Sequence, residues 1–281
     1  MSSSSVPQDA DDLRGYHFRR LLRSRLILYL GGFAALATFV AISIAGSPLI
    51  GLAAAAVVAL IVLVIVWVLA SSRAESDFFK AYAQGRGLAW ADERSMLPPM
   101  TPLLCKGDER YAEKTLRGRL PGGADGTIAL YTYEEESRDS DGNKQTTYHH
   151  FTLALSEIPE TAAFIGDLLC QRRAGFRFLD SAEDVFRKRQ RVELESVDAD
   201  RRYEIFAGED EDLNRVRQVF EPTFIVWLAE HAPEDFAFEL GAGWLVCNVK
   251  GHQKSAADLD SLCESASVVV TRLRSEATEL A

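Results

Sequence analysis

Leu26–Ala45 reads LILYLGGFAALATFVAISIA, and after Gly46-Ser47-Pro48 the run Leu49–Ala70 reads LIGLAAAAVVALIVLVIVWVLA; neither run holds a charged residue. At a helical rise of about 1.5 Å per residue, each run is long enough to cross a hydrocarbon layer of about 30 Å. The pair predicts a transmembrane helical hairpin over 26–70, with spans at 26–45 and 49–70. A cleaved signal peptide is the competing reading. It fits less well, because the first run exceeds an ordinary signal core and a second run follows at once.

Arg14, Arg19, Arg20, Arg23 and Arg25 crowd the entry to the first run, the turn carries no charge, and Arg73 and Lys80 follow the second. Basic flanks stay on the cytoplasmic side, so both termini are expected in the cytoplasm of a two-span inner-membrane protein. Ala37, Ala41 and Ala45 recur at every fourth position of the first run, as do Gly51, Ala55 and Ala59 in the second. Rows of small residues let helix backbones approach, either between the two spans or between copies of the chain. Residues 1–25 read as a disordered tail with a basic flank.

Residues 71–281 have ordinary globular composition, sufficient for one large domain or two smaller ones divided near 174–181. Glu75–Gln84 suits a helix, closed by Gly85 and Gly87. Leu97-Pro98-Pro99-Met100-Thr101-Pro102 reads as a stiff connector. Arg110–Leu120, Thr127–Glu136 and Gln145–Leu155 alternate as strands, and the joints between them carry Asp-Gly, the turn dipeptide that accepts positive φ. Farther on, Ser181–Arg187 suits a short helix, and Arg191–Ser196 with Arg202–Ala207 a strand pair. Glu209–Phe220 and Thr223–Glu230 read as helices, the second opened by Pro222. Phe236–Leu240 and Trp244–Val249 suit a hairpin about Gly241-Ala242-Gly243, and Ala256–Leu280 a long amphipathic helix. The expected fold class is an α+β cytoplasmic region with a mostly antiparallel sheet, preceded by the two-helix hairpin.

No catalytic constellation stands out. His149 and His150 are neighbours on a strand and point to opposite faces. No HExxH or paired-cysteine spacing accompanies them, so no metal or cofactor is expected. Asp139-Ser140-Asp141-Gly142-Asn143 resembles the middle of a calcium loop, but Tyr148 stands where the bidentate glutamate belongs. There is no GxSxG, Ser-x-x-Lys or phosphate-cradling GxxxxGK. Cys105, Cys170, Cys247 and Cys263 form no CxxC and are expected to stay reduced and mostly buried. The chain's formal net charge of −10 argues against nucleic-acid binding.

One basic cluster, Arg187-Lys188-Arg189-Gln190-Arg191, has Arg172 and Arg173 upstream and Arg201 and Arg202 downstream. Arg172, Arg173, Arg187, Lys188, Arg189 and Arg191 are candidate contacts for anionic headgroups or a partner. The alternative is a solvated face paired with nearby carboxylates such as Glu183, Asp184, Glu193 and Glu195.

Arg191-Val192-Glu193-Leu194-Glu195-Ser196, Arg202-Tyr203-Glu204-Ile205-Phe206 and Phe220-Glu221-Pro222-Thr223-Phe224-Ile225 together resemble a bacterial family of membrane-anchored proteins, a domain of unknown function with two N-terminal spans. Glu221-Pro222 replaces the Thr-Pro of that pattern. Leu103-Leu104 to Gly118 and Thr132-Tyr133 are similar to uncharacterised actinobacterial membrane proteins. The resemblance implies architecture and no activity. The expected role is a membrane-anchored binding or scaffold protein with the lipid bilayer, an unknown protein partner or a second copy as its contacts. The alternative is a tethered hydrolase or transferase with a site assembled from dispersed residues. Besides the basic cluster, the C-terminal helix is the other candidate surface.

Overall fold

The computed structural model describes residues 9–22, 25–45, 48–138, 142–173, 189–194 and 196–279. The expected helix at Ser181–Arg187, the acidic part of the calcium-like turn (Asp139–Asp141), and Arg187 and Lys188 lie outside them. The chain divides into two units: Met1–Tyr82 with Lys254–Ala256, and Ala83–Gln253 with Ala257–Ala281.

The first unit is helical: α1 (Ala10–Leu22), α2 (Arg25–Ala45) and α3, which runs unbroken from Pro48 to Arg86. Among the described residues, α3 is the helix long and apolar enough to cross a membrane. Its 39 residues span roughly 58 Å. Leu49, Ile50, Leu52, Val57, Leu60, Ile61, Val64 and Ile65 are all exposed along its apolar part. Gly51 faces α2 so closely that a Cβ there would lie 2.4 Å from Ser43 Oγ and 3.0 Å from the Phe39 carbonyl. The small-residue row thus has a structural use, since only glycine admits that approach.

The tail expected at 1–25 needs correcting, because Ala10–Leu22 is a helix with tertiary partners. Asp9 accepts the Asp11 N–H at 2.9 Å, and Leu21 packs with Val66 and Ala70. Phe18 meets Trp67 edge-on at 5.5 Å, and His17 Nε2 lies 3.0 Å from Asp77. Val66, Trp67, Ala70 and Asp77 are all distant in sequence from α1, so local composition gave no sign of order.

The second unit is built on a nine-stranded sheet in the order β1-β2-β3-β4-β9-β8-β5-β7-β6, with every neighbouring pair antiparallel. The strands are β1 (Ala89–Ala91), β2 (Glu109–Arg119), β3 (Asp125–Arg138), β4 (Lys144–Glu157), β5 (Asp167–Arg172), β6 (Arg189–Val192), β7 (Tyr203–Gly208), β8 (Ala237–Gly241) and β9 (Trp244–Lys250). Helices α4 (Pro102–Cys105), α5 (Val197–Arg202), α6 (Leu213–Val219), α7 (Pro222–Glu230) and α8 (Ala256–Glu279) complete it. Strands from both sides of 174–181 share this one sheet. The reason is that the β8–β9 hairpin lies between β4 and β5. Its loop, Ala242-Gly243, has φ of 50° and 79°, the two positive values that a two-residue hairpin turn needs.

Strand alternation divides the core between two faces. Tyr131, Tyr133, Phe151, Leu153, Leu155, Ala237 and Val246 form one cluster with Leu103 and Leu104 of α4. On the opposite face, the Cys247 thiol neighbours those of Cys170 and of Cys263 in α8. The inner side of α8 is buried at Leu259, Leu262, Cys263, Ala266, Val269, Val270 and Leu273. Three of the four cysteines are buried and all are free thiols. Burial raises the Cys263 thiol to about 12, which keeps it protonated at neutral pH.

The connector before α4 is seated on β8 by two contacts. Glu239 is fully buried, and its Oε2 accepts the Leu103 N–H at 2.9 Å. Desolvation raises this carboxyl above its ordinary value, outweighing that hydrogen bond and the nearby Arg189 and Lys106. At Gly241, a Cβ would stand 2.2 Å from the Met100 carbonyl oxygen.

Gly241→Ala is expected to destabilise the protein by about 1–3 kcal/mol through this overlap, read as a lower thermal midpoint. Glu239 should give a pH signature. The folded state holds its proton more tightly than the unfolded state, so ionisation favours unfolding as pH rises above the ordinary carboxyl range. Glu239→Gln should therefore gain stability over the parent as pH is raised from mildly acidic to mildly alkaline, measured as the difference in midpoints at each pH. A constant or shrinking difference would contradict a protonated buried carboxyl.

Candidate functional site

Of the basic residues singled out in the sequence, Arg172, Arg173, Arg189 and Arg191 come together at the β5–β7–β6 end of the sheet, where the domain's own groups engage them. Arg189 donates through Nε to Asp167 Oδ2 at 2.7 Å and through Nη2 to Oδ1, a side-on bidentate pair whose arginine side chain is only 6% exposed. Arg191 pairs with Asp200 at 3.2 Å; Arg173 lies 3.7 Å from Asp200 and 3.6 Å from Glu204. Arg172 Nε donates to Tyr203 Oη at 3.3 Å, with its guanidinium carbon 5.6 Å from that ring's centre. The carboxylates in use are Asp167, Asp200 and Glu204, which come from β5, α5 and β7 rather than from the sequence neighbours of the cluster. Arg187 and Lys188 lie outside the described residues.

Two concave features of this unit lie along α8. A groove of about 780 Å³ is lined by Leu194, Phe220, Pro222, Ile225 and Val226 on its apolar side, with Arg272 and Glu276 among its polar residues. A second hollow, about 640 Å³, includes Phe224, Trp227, Val268 and Thr271. Both are lined by Glu221 and Arg272, whose Nη1 and Oε1 lie 3.0 Å apart. Arg272 makes this region. Its Nε donates to the Val219 carbonyl at 2.9 Å, a further nitrogen donates to the Gln218 carbonyl, and Nη2 lies 2.7 Å from Glu276. One guanidinium thereby satisfies the last carbonyls of α6 and ties α8 to the start of α7. Desolvation raises the Glu276 carboxyl, with Arg272 opposing the shift.

The local sequence accounts for the walls. Asp212 caps α6 by accepting the Asn214 N–H at 2.9 Å, and Pro222 opens α7 where its missing N–H costs nothing. Phe224, Ile225 and Leu228 are buried while Val226 stays 49% exposed, as expected of one helix with its apolar stripe turned inward. The C-terminal helix was legible as a candidate surface. The groove was not, because its far wall comes from residues 194–226.

The histidines also resolve. His149 and His150 do take opposite faces: His149 stacks on Tyr133 at 4.6 Å and reaches Glu135 at 3.2 Å, whereas His150 turns to Thr132 and His252.

Fold and grooves together define an α+β domain on one antiparallel sheet, following a long apolar helix. No protein-family model matches the chain, and no curated protein matches its sequence. The crystal structure of the mycobacterial trehalose monomycolate transport factor A, TtfA, overlaps with a TM-score of 0.44 at 9% identity, covering 69% of this chain and 92% of that one. That likeness is too slight to bear on function.

Arg272→Ala should cost about 1–3 kcal/mol, since it strands the part-buried Val219 carbonyl and the Glu276 carboxylate together. Arg272→Lys should recover only part, because a point charge cannot reach all four acceptors. Denaturant unfolding of the two variants beside the parent checks both statements.

Proposed function

We propose that this is a membrane-anchored binding or scaffold protein, held in the inner membrane by α2 and α3 as two spans with both termini in the cytoplasm. The observation that carries the anchor is the exposed apolar length of α3. Contiguous apolar surface of that size is not tolerated in water and calls for lipid or a partner. The uncharged α2 run and the close fit at Gly51 support a second span beside it. Basic residues before α2 and after the apolar part of α3 favour the cytoplasmic side for both ends.

The groove between α6, α7 and α8 is the surface through which the domain binds. It joins an apolar wall to a few converging polar groups, the usual make-up of a ligand site. The described members of the basic cluster are engaged by Asp167, Asp200, Glu204 and Tyr203, so the groove is the better-placed surface. The alternative is a tethered hydrolase or transferase with a site assembled from dispersed residues.

Two measurements test this. A fluorescent-protein fusion at the C-terminus should be bright and an alkaline phosphatase fusion inactive, with the chain resisting carbonate extraction from membranes. The opposite pattern overturns the topology. For binding, the full chain is purified from its own membrane in mild detergent beside Val226→Asp. A stoichiometric component present with the parent and lost from the variant is the expected result. Equal recovery from both, or none from either, overturns the groove.

A further inference from the structure

The second unit holds a convergence of metal-binding side chains that no spacing in the sequence announces. Glu113 of β2, His150 of β4 and His252, two residues past β9, each offer one donor atom, and the three atoms lie within 4.8 Å of one another. At their centre is Thr132 of β3, a fully buried residue. Its Oγ1 lies 2.9 Å from Glu113 Oε1, 2.9 Å from His150 Nδ1 and 3.4 Å from His252 Nε2. His150 is exposed and the other two donors half-buried, so the cluster opens to solvent.

Each donor is aimed by a specific backbone device. The β2–β3 register shifts between Ala112 and Lys114, so Glu113 is the extra residue of a bulge. Bulges re-aim side chains, and this one directs a carboxylate to the side of Thr132. His150 stands directly opposite Thr132 in the β3–β4 ladder. His252 is delivered by a turn with three ties. The Gly251 N–H donates to the His150 carbonyl at 2.7 Å, the Thr152 hydroxyl donates to the Gly251 carbonyl at 2.8 Å, and the Gln253 N–H donates to Thr152 Oγ1 at 2.8 Å. Gly251 has a φ of 81°, which favours glycine there. The imidazoles of His150 and His252 consequently meet edge-to-face at 4.7 Å.

The Thr132 hydroxyl can donate to Glu113 and accept from both imidazoles, so it can hold all three side chains together. So gathered, two imidazoles and a carboxylate lie close enough for one cation to take a lone pair from each. A second carboxylate, Glu134, stands on the same face and accepts from Tyr111 Oη at 2.9 Å.

We propose that Glu113, His150 and His252 form a binding site for a divalent first-row transition-metal cation, with Thr132 positioning the donors. Two imidazoles and one carboxylate suit zinc, iron or cobalt rather than magnesium or calcium, which require oxygen donors throughout. Three protein donors leave at least one coordination position for water or a ligand, the arrangement of an open metal site. Thr132, touching every donor, is the outer partner that such sites use to fix their ligands.

The test uses the full chain in detergent, carrying no histidine tag and stripped with a chelator. Zn²⁺ is titrated by calorimetry, and Co²⁺ by its visible absorption. One equivalent per chain is expected, with Co²⁺ displaced by Zn²⁺ and not by Ca²⁺ at the same concentration. His150→Ala, on an exposed side chain, and the shape-preserving Glu113→Gln should each weaken binding at least about tenfold. Metal-free melting should be unchanged in both. His149→Ala, on the opposite face, should bind as the parent does. Absence of binding to the parent, or affinity unchanged in His150→Ala and Glu113→Gln, overturns the site.

Discussion

The ladder between β4 and β9 is the connection on which the second unit depends. Its register runs from Phe151 opposite Lys250 to Glu157 opposite Trp244. On one side stands the β1–β4 meander, on the other the strands β8, β5, β7 and β6, and the sheet's hydrogen bonding passes from one to the other through this seam. Leu155 with Val246 faces the α4 side, while Ala154 with Cys247 faces the α8 side. A slip of one residue would exchange these sets, so two differently composed core faces fix the register. The same seam ends where Gly251 turns back onto His150, and the metal-donor cluster sits at that end.

Much of the fold was legible because its signals are local. The β2–β4 strands were read from their own runs, although the β2–β3 turn is made around Gly122 and Gly123, both at positive φ, and Asp125-Gly126 already pair within β3; Gly241-Ala242-Gly243 marked the β8–β9 hairpin in three residues. The expected Glu209–Phe220 helix shortened to Leu213–Val219, since Asp212 serves as its cap and Glu211 instead accepts the backbone N–H groups of Gly166 and Asp167. Strand β5 left no trace. Leu168–Cys170 is fully buried between β8 and β7, and a strand covered on both faces has no alternation to betray it. Helix α1 escaped notice because Val66, Trp67 and Asp77 hold it, not its own composition.

The sites divide in the same way. Alternation correctly separated His149 from His150. It could not bring His252 or Glu113 to His150, because that needs the β4–β9 pairing and a bulge, and neither leaves a fixed spacing. The basic cluster was conspicuous as charge, yet its ion-pair partners are set by the β5–β7–β6 arrangement. Arg272, an unremarkable residue of an amphipathic helix, acquires its importance only when four acceptors from residues 218–221 and 276 gather around it.

The seam also sets a schedule for synthesis. β4 ends at Glu157, but its partner is not complete until Lys250 has been made. At translation rates of about 5–20 residues per second, β4 waits for roughly 5–20 seconds with one edge unpaired. Strand edges left open in this way invite pairing with other chains. The outer half of β4 carries Lys144, Gln145, His149 and His150, polar and charged groups that make the waiting edge a poor template for a neighbour. The inner half, Phe151–Leu155, has no such protection of its own and depends on the nascent chain being completed on time.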